Sequence, residues 1–122
     1  MANSSYPKTS RLLNAGEFQA VFSHSQFKVS CRYFLVLAKT NDQNNTRIGL
    51  VVGKKNVSKA VQRNRVKRLI RDWFRRHQEF SPNLDMIVLV RKEADTLNNQ
   101  QLLNRLASLW DDLNTKCLSA GN

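Results

Sequence analysis

Cysteine is scarce in this chain of 122 residues, with only Cys31 and Cys117. Two thiols make no disulfide framework and no zinc site, and both are expected to be small buried hydrophobes. Four glycines supply no phosphate-cradling loop, because Gly49 and Gly53 are isolated. No apolar stretch reaches the roughly 18 residues that a membrane-spanning helix needs. Residues 1–12 hold no apolar core of a secretory signal. Reactive groups are also few. His24 and His77 have no Cys or carboxylate at metal-ligand spacing, and no local Ser-His-Asp or Cys-His arrangement exists. Asp111 and Asp112 are helix neighbours that face different directions, a poor acid–base pair. No catalytic and no metal-binding residue is therefore assigned, and a reduced cytoplasmic binding protein is expected. Acid is the last shortage: nine Asp and Glu stand against twenty Lys and Arg, for a net charge of +11 and a pI near 10.4.

What is present suffices for one core. Apolar residues make up 41% of the chain, and a chain of this size buries roughly two-thirds of its unfolded surface. The expected organisation is a flexible arm over 1–10, a single domain over 11–118 and a tail over 119–122. Asn14 and Glu17 have capping-box spacing and open a short helix with Ala15, Phe18, Val21 and Phe22 as its apolar stripe. Short strands are expected at Phe27–Cys31, Arg32–Lys39 and Arg47–Gly53. The turn-rich segment 40–46 predicts a hairpin between the last two. A helix from about Ser58 to Arg76 follows, with Val66, Leu69, Ile70, Trp73 and Phe74 on one face and Asn64, Arg68, Arg71 and Arg75 on the other. Val61 does not fit the apolar stripe. Met86–Val90 reads as a strand buried on both sides. A final helix over 98–117 has an inward stripe of Leu102, Leu106, Leu109, Trp110, Leu113 and Cys117. The fold class is thus α+β, in the order α-β-β-β-α-β-α.

The positive charge is concentrated. Residues 54–76 carry ten bases and one acid, Asp72, whereas 77–122 carry four bases and six acids. Such a segment attracts polyanions, and phosphate backbones reward it through counterion release. A solvated helix face or an anionic membrane surface are the alternatives. Asp72 can pair with Arg68 or Arg76, both four residues away. Arginine forks suit phosphate oxygens, and Asn64 can bond a ribose hydroxyl or a base edge. Phe18, Phe22, Tyr33 and Phe34 could stack on unpaired bases or could close the core; composition leaves both open.

The run RIGLVVGKKNVSKAVQRNRVKRLIRDWFR, Arg47–Arg75, resembles the protein component of bacterial ribonuclease P. The likeness rests on the Lys-Lys pair after a strand, its spacing to Arg63-Asn64-Arg65, and the KRLIR that follows. It extends upstream through Arg11-Leu12-Leu13 and GEFQAVF, and downstream through DMIVLVRK to Leu109-Trp110. The resemblance implies an α/β sandwich on a four-stranded sheet with a left-handed βαβ crossover, against the usual hand. It implies a protein subunit of an RNA-based endoribonuclease that removes the 5′ leader of precursor transfer RNA in the cytoplasm. The catalytic centre and its Mg²⁺ would lie on the RNA, with no cofactor bound by the protein. The partners would be the catalytic RNA and precursor transfer RNA, with no membrane or DNA. Catalytic-RNA binding would fall to Arg63, Asn64, Arg65, Lys67, Arg68 and Arg71, and leader binding to Phe18, Phe22, Lys54, Lys55, Arg91 and Lys92. Where some relatives carry a cleft tyrosine, this chain has Leu37. Strand alternation puts Tyr33 on the face of Leu37 and Phe34 on the other. A ribosomal-type structural RNA-binding protein is the alternative with the same charge and size.

Overall fold

A computed structural model describes residues 15–41, 46–77 and 83–120. The expected arm over 1–10, the proposed cap residue Asn14 and the end of the tail lie outside the described residues. The elements are α1 (Ala15–His24), β1 (Phe27–Ser30), β2 (Phe34–Thr40), β3 (Arg47–Val51), α2 (Ala60–Arg76), β4 (Leu84–Val90) and α3 (Asn99–Ala120), with a 3-10 turn at Ala94–Thr96 before α3. The α-β-β-β-α-β-α order read from the sequence is the order observed, in an α+β fold with a four-stranded mixed sheet.

The sheet order is β1-β2-β4-β3. β4 pairs antiparallel with β2 (Val36 opposite Val88) and parallel with β3 (Leu50 opposite Val88), so β3, α2 and β4 form a crossover unit. The hairpin expected between β2 and β3 is therefore absent, because β4 lies between them. The composition of β4 explains its place. Six of the seven residues in LDMIVLV are apolar and nearly all are buried. A strand that can bury both faces loses least at the centre of a sheet.

Alternation along the strands divides the interior into two layers. Phe34, Val36, Ala38, Ile48, Leu84, Met86, Val88 and Val90 face α2 and α3 and form the main core with Val66, Ile70, Phe74 and the whole predicted α3 stripe. Ile87, Leu37, Leu89 and Val51 face the other way, toward Val21 and Phe18 of α1. Helices thus cover both faces, unequally: two long ones on one side and the single short α1 on the other. Truncating Phe34 or Phe74, both fully buried, should cost about 3–5 kcal/mol.

Local chemistry sets the helix ends. Asn98 and Gln101 form a reciprocal capping box, Gln101 N–H to Asn98 Oδ1 at 2.8 Å and Asn98 N–H to Gln101 Oε1 at 2.9 Å. α2 starts at Ala60 rather than Ser58, because Lys59 is extended at its N-cap (ψ 128°) with no side-chain cap. Arg63 does not cap the helix N–H groups but pins the chain leading into the helix: its Nη1 donates to the carbonyls of Val57 and Ser58 at 3.0 and 2.8 Å. Val61, which did not fit the apolar stripe, lies beside Asn64 and Arg68 and is 75% exposed.

Candidate nucleic-acid interface

Arg47 anchors α1 to the sheet. Its guanidinium donates from Nε and Nη2 to both oxygens of buried Asp85, at 2.8 and 2.6 Å, and from Nη1 to Glu17 of α1 at 2.8 Å. Asn41 Nδ2 donates to the same Asp85 carboxylate at 2.7 Å. The hydrogen bonds to Asp85 push the Arg47 pKa up further, with burial partly opposing them. This network sits where β4 begins. It closes that end of the α1 face with fully engaged polar groups.

The opposite end of the same face is open. Leu35, Leu89 and Val51 lie side by side across β2, β4 and β3 and remain half-buried. Of the α1 aromatics, Phe18 is half-buried against this patch, whereas Phe22 is 44% exposed. The buried member of the α1 stripe is Val21, which packs against Ile87. Core and surface readings of the two rings therefore divide between them. Phe34 is in the main core. Tyr33 lies in the bend before β2, where strand alternation does not hold, and it packs against the main core with Arg105 of α3 5.6 Å from its ring centroid. It does not share the face of Leu37, so neither ring takes the position of a cleft tyrosine.

Because β3 and β4 run parallel, the residues that follow them emerge together at this open end. Lys54 and Lys55 follow β3, Arg91 and Lys92 follow β4, and all four are exposed. Asn56 joins the two segments by donating from Nδ2 to the Val90 carbonyl at 3.0 Å. Arg91 extends the β2–β4 ladder through its N–H to Tyr33 O at 2.8 Å, and its Nη1 reaches Cys31 O at 3.3 Å. Arg32, which sequence reasoning left out, borders the same hollow as Asn56, Arg91, Lys92 and Glu93. It is paired with Glu93 at 2.6 Å, and that hydrogen bond raises its pKa. Glu93 has φ 71°, a left-handed conformation that costs a side-chain-bearing residue about 1–2 kcal/mol. Cys31 is half-buried here rather than buried, and its sulfur accepts the Tyr33 N–H at 3.4 Å.

The second basic group lies on the outer face of α2. Asn64, Arg68 and Arg71 are exposed and Lys67 is half-exposed. Arg68 and Arg71 meet no acceptor among the described residues. Arg63 and Arg65 are engaged within the chain. Arg63 holds the start of α2, as described above. Arg65 binds Gln62 Oε1 at 2.8 Å, Asn99 Oδ1 at 2.7 Å and Leu97 O at 3.1 Å, which links α2 to the start of α3. Asp72 pairs with Arg75, three residues on, at 3.0 Å, rather than with Arg68 or Arg76. A shallow hollow bordered by Val61, Asn64, Arg68, Leu69 and Asn99 lies beside these cations. No acid occupies the first turn of α2, so its helix dipole adds to the positive potential around Lys54, Lys55 and Lys59.

A mixed sheet sandwiched by helices, with one cationic surface on α2 and another at the end of two parallel strands, defines a small basic α+β domain. Comparison with known proteins narrows the class to a family. The family model for ribonuclease P matches residues 6–114. A ribonuclease P protein component of Marinomonas sp. is 46% identical over 113 residues, 93% of this chain and 86% of that protein. One of Pseudomonas aeruginosa is 43% identical over 113 residues, 93% and 84% of the two chains. Among solved structures, the RNase P protein of Staphylococcus aureus matches with a TM-score of 0.77 at 30% identity, over 85% of this chain and 94% of that one. That of Thermotoga maritima matches with a TM-score of 0.70 at 27% identity, over 86% and 96%. The chain belongs to the family of ribonuclease P protein components.

Proposed function

We propose that this protein binds the catalytic RNA of ribonuclease P through α2 and holds the 5′ leader of precursor transfer RNA against the open end of the α1 face. The observation that carries the reading is the separation of the two cationic groups. Asn64, Lys67, Arg68 and Arg71 project from a helix packed on one face of the sheet, while Phe18, Phe22, Lys54, Lys55, Arg91 and Lys92 gather around the other face and its open edge. Arg63 and Arg65 support the first group mainly by fixing the start and the packing of α2, with their remaining donors left for phosphate oxygens.

In this reading the protein does no bond chemistry. Arg68 and Arg71 offset phosphate repulsion on docking, which makes assembly strongly salt-dependent. At the second surface, half-exposed rings offer stacking faces to unpaired bases, and the flanking lysines and arginines meet the backbone between them. Mature transfer RNA lacks the leader and forfeits these interactions, so the protein favours substrate over product by differential binding. Hydrolysis takes place on the RNA with Mg²⁺ held there, in the cytoplasm.

The test is reconstitution. Purified protein added to catalytic RNA and precursor transfer RNA at limiting Mg²⁺ should raise the rate of 5′ cleavage well above RNA alone. No stimulation would refute the reading. Binding of ribosomal RNA with no effect on cleavage would favour a structural RNA-binding role instead.

A further inference from the structure

The pairing of Arg32 with Glu93 is unusual for this surface. Arg32, Asn56, Arg91 and Lys92 border the hollow at the end of β4, and Glu93 is the one carboxylate among the described residues that border it. Both partners are largely exposed, 69% for the Arg32 side chain and 56% for Glu93, so the pair fills no need of the core. Glu93 also holds a left-handed backbone conformation, of the kind that persists where surrounding structure imposes it and that clusters at functional sites. Here it is imposed by the turn into Ala94–Thr96, with Thr96 N–H and Oγ1 both donating to the Glu93 carbonyl at 3.0 and 2.6 Å. The conformation aims a carboxylate at a guanidinium that otherwise faces solvent beside Arg91.

We propose that Arg32 is a further phosphate-binding residue of the leader surface, and that Glu93 occupies it as an internal counter-ion which the RNA backbone displaces. Continuity supports a polynucleotide over an isolated anion. The half-buried row Leu35–Leu89–Val51 leads along β4 directly to Arg91, and Arg91 shares its hollow with Arg32. The Arg47–Asp85–Glu17 network closes the other end, so a strand lying along β4 on the α1 face runs toward these cations. Displacing Glu93 exchanges one ion pair for another, so Arg32 adds modest affinity and makes it depend on the charge the leader brings. Tyr33 keeps Arg32 near its place in the exchange, with the guanidinium carbon 5.7 Å from the ring centroid.

This inference rests on the reading that the α1 face receives the leader. The experiment measures holoenzyme affinity for precursor transfer RNA with a leader of several nucleotides and for mature transfer RNA, across a salt series. Arg32→Gln should weaken precursor binding by up to about fivefold, the range of an exposed ionic interaction, and flatten the salt slope by about 0.7 for one single-strand phosphate. Mature transfer RNA should bind as before. Glu93→Gln should tighten precursor binding by about twofold, and this gain should vanish in the Arg32→Gln background. Arg32→Lys should recover part of the loss, since it keeps the charge without the fork. Thermal melting of each variant checks that the fold is intact. Equal effects on precursor and mature transfer RNA, no effect of Arg32→Gln, or a Glu93→Gln gain that survives without Arg32 would overturn the proposal. A wild-type holoenzyme with no preference for precursor would instead refute the underlying reading, and this inference with it.

Discussion

Arginine at position 65 illustrates how residue identity and residue role separate. Its guanidinium is engaged by Gln62, Asn99 and the Leu97 carbonyl, so Arg65→Ala should destabilise the fold by about 1–3 kcal/mol, the cost of leaving such partners unmet. Asn64 is exposed, and Asn64→Ala should leave the melting temperature unchanged while weakening assembly with the catalytic RNA. Thermal denaturation beside a binding titration separates the two. Asp85→Asn removes the charge that holds Arg47 and should destabilise by about 3 kcal/mol, as breaking a buried pair does. The thiols divide as well. Burial pushes the Cys117 pKa up, whereas Cys31 is half-buried, so iodoacetamide should label Cys31 first, which mass spectrometry of the intact protein detects. The sequence marked Arg63, Asn64 and Arg65 as a single unit, because a motif shows which residues occur together and not which side chains fold back. Only the partners contributed by 57–58 and 95–99, distant along the chain for Arg65, distinguish them.

Helices and strands were more legible than single side chains. The periodicity of α2 and α3 identified Val66, Ile70, Phe74 and every residue of the α3 stripe, since burying a continuous face is the dominant favourable term and leaves a plain pattern. The capping box at Asn98 and Gln101 was not read from the sequence, although Asn-x-x-Gln has its spacing. In α1 the pattern was ambiguous: one stripe contained a buried Val21, a half-buried Phe18 and an exposed Phe22. Phe22→Ala should therefore cost less than about 1 kcal/mol of stability and still reduce preference for precursor transfer RNA, whereas Phe18→Ala should lose both. Equal loss of stability in the two variants would identify both rings as core. On α2, Arg68→Ala combined with Arg71→Ala should weaken assembly and flatten its salt dependence by about 0.7–0.9 for each phosphate no longer neutralised, without altering the leader preference of whatever complex forms.

At the scale of the whole molecule, topology was the least legible level. The apolar run of β4 showed that it is buried on both faces, but the turn-rich segment before β3 pointed to a neighbour in sequence, and the sheet placed a distant strand there. That insertion makes β3 and β4 parallel, and it brings Lys54, Lys55, Arg91 and Lys92 together from positions almost forty residues apart. Arg32 joins them through the β2–β4 pairing, a proximity that no local pattern contains. The resulting domain carries one cationic group on α2 and another at the open end of the α1 face, which the proposed function assigns to docking and to substrate. The most direct measurement is the ratio of affinities for precursor and mature transfer RNA, determined for the catalytic RNA alone and with this protein bound. The account predicts that the ratio rises on adding the protein and falls back when the leader is removed or Phe22 and Arg91 are replaced by alanine. A ratio that the protein leaves unchanged would contradict it.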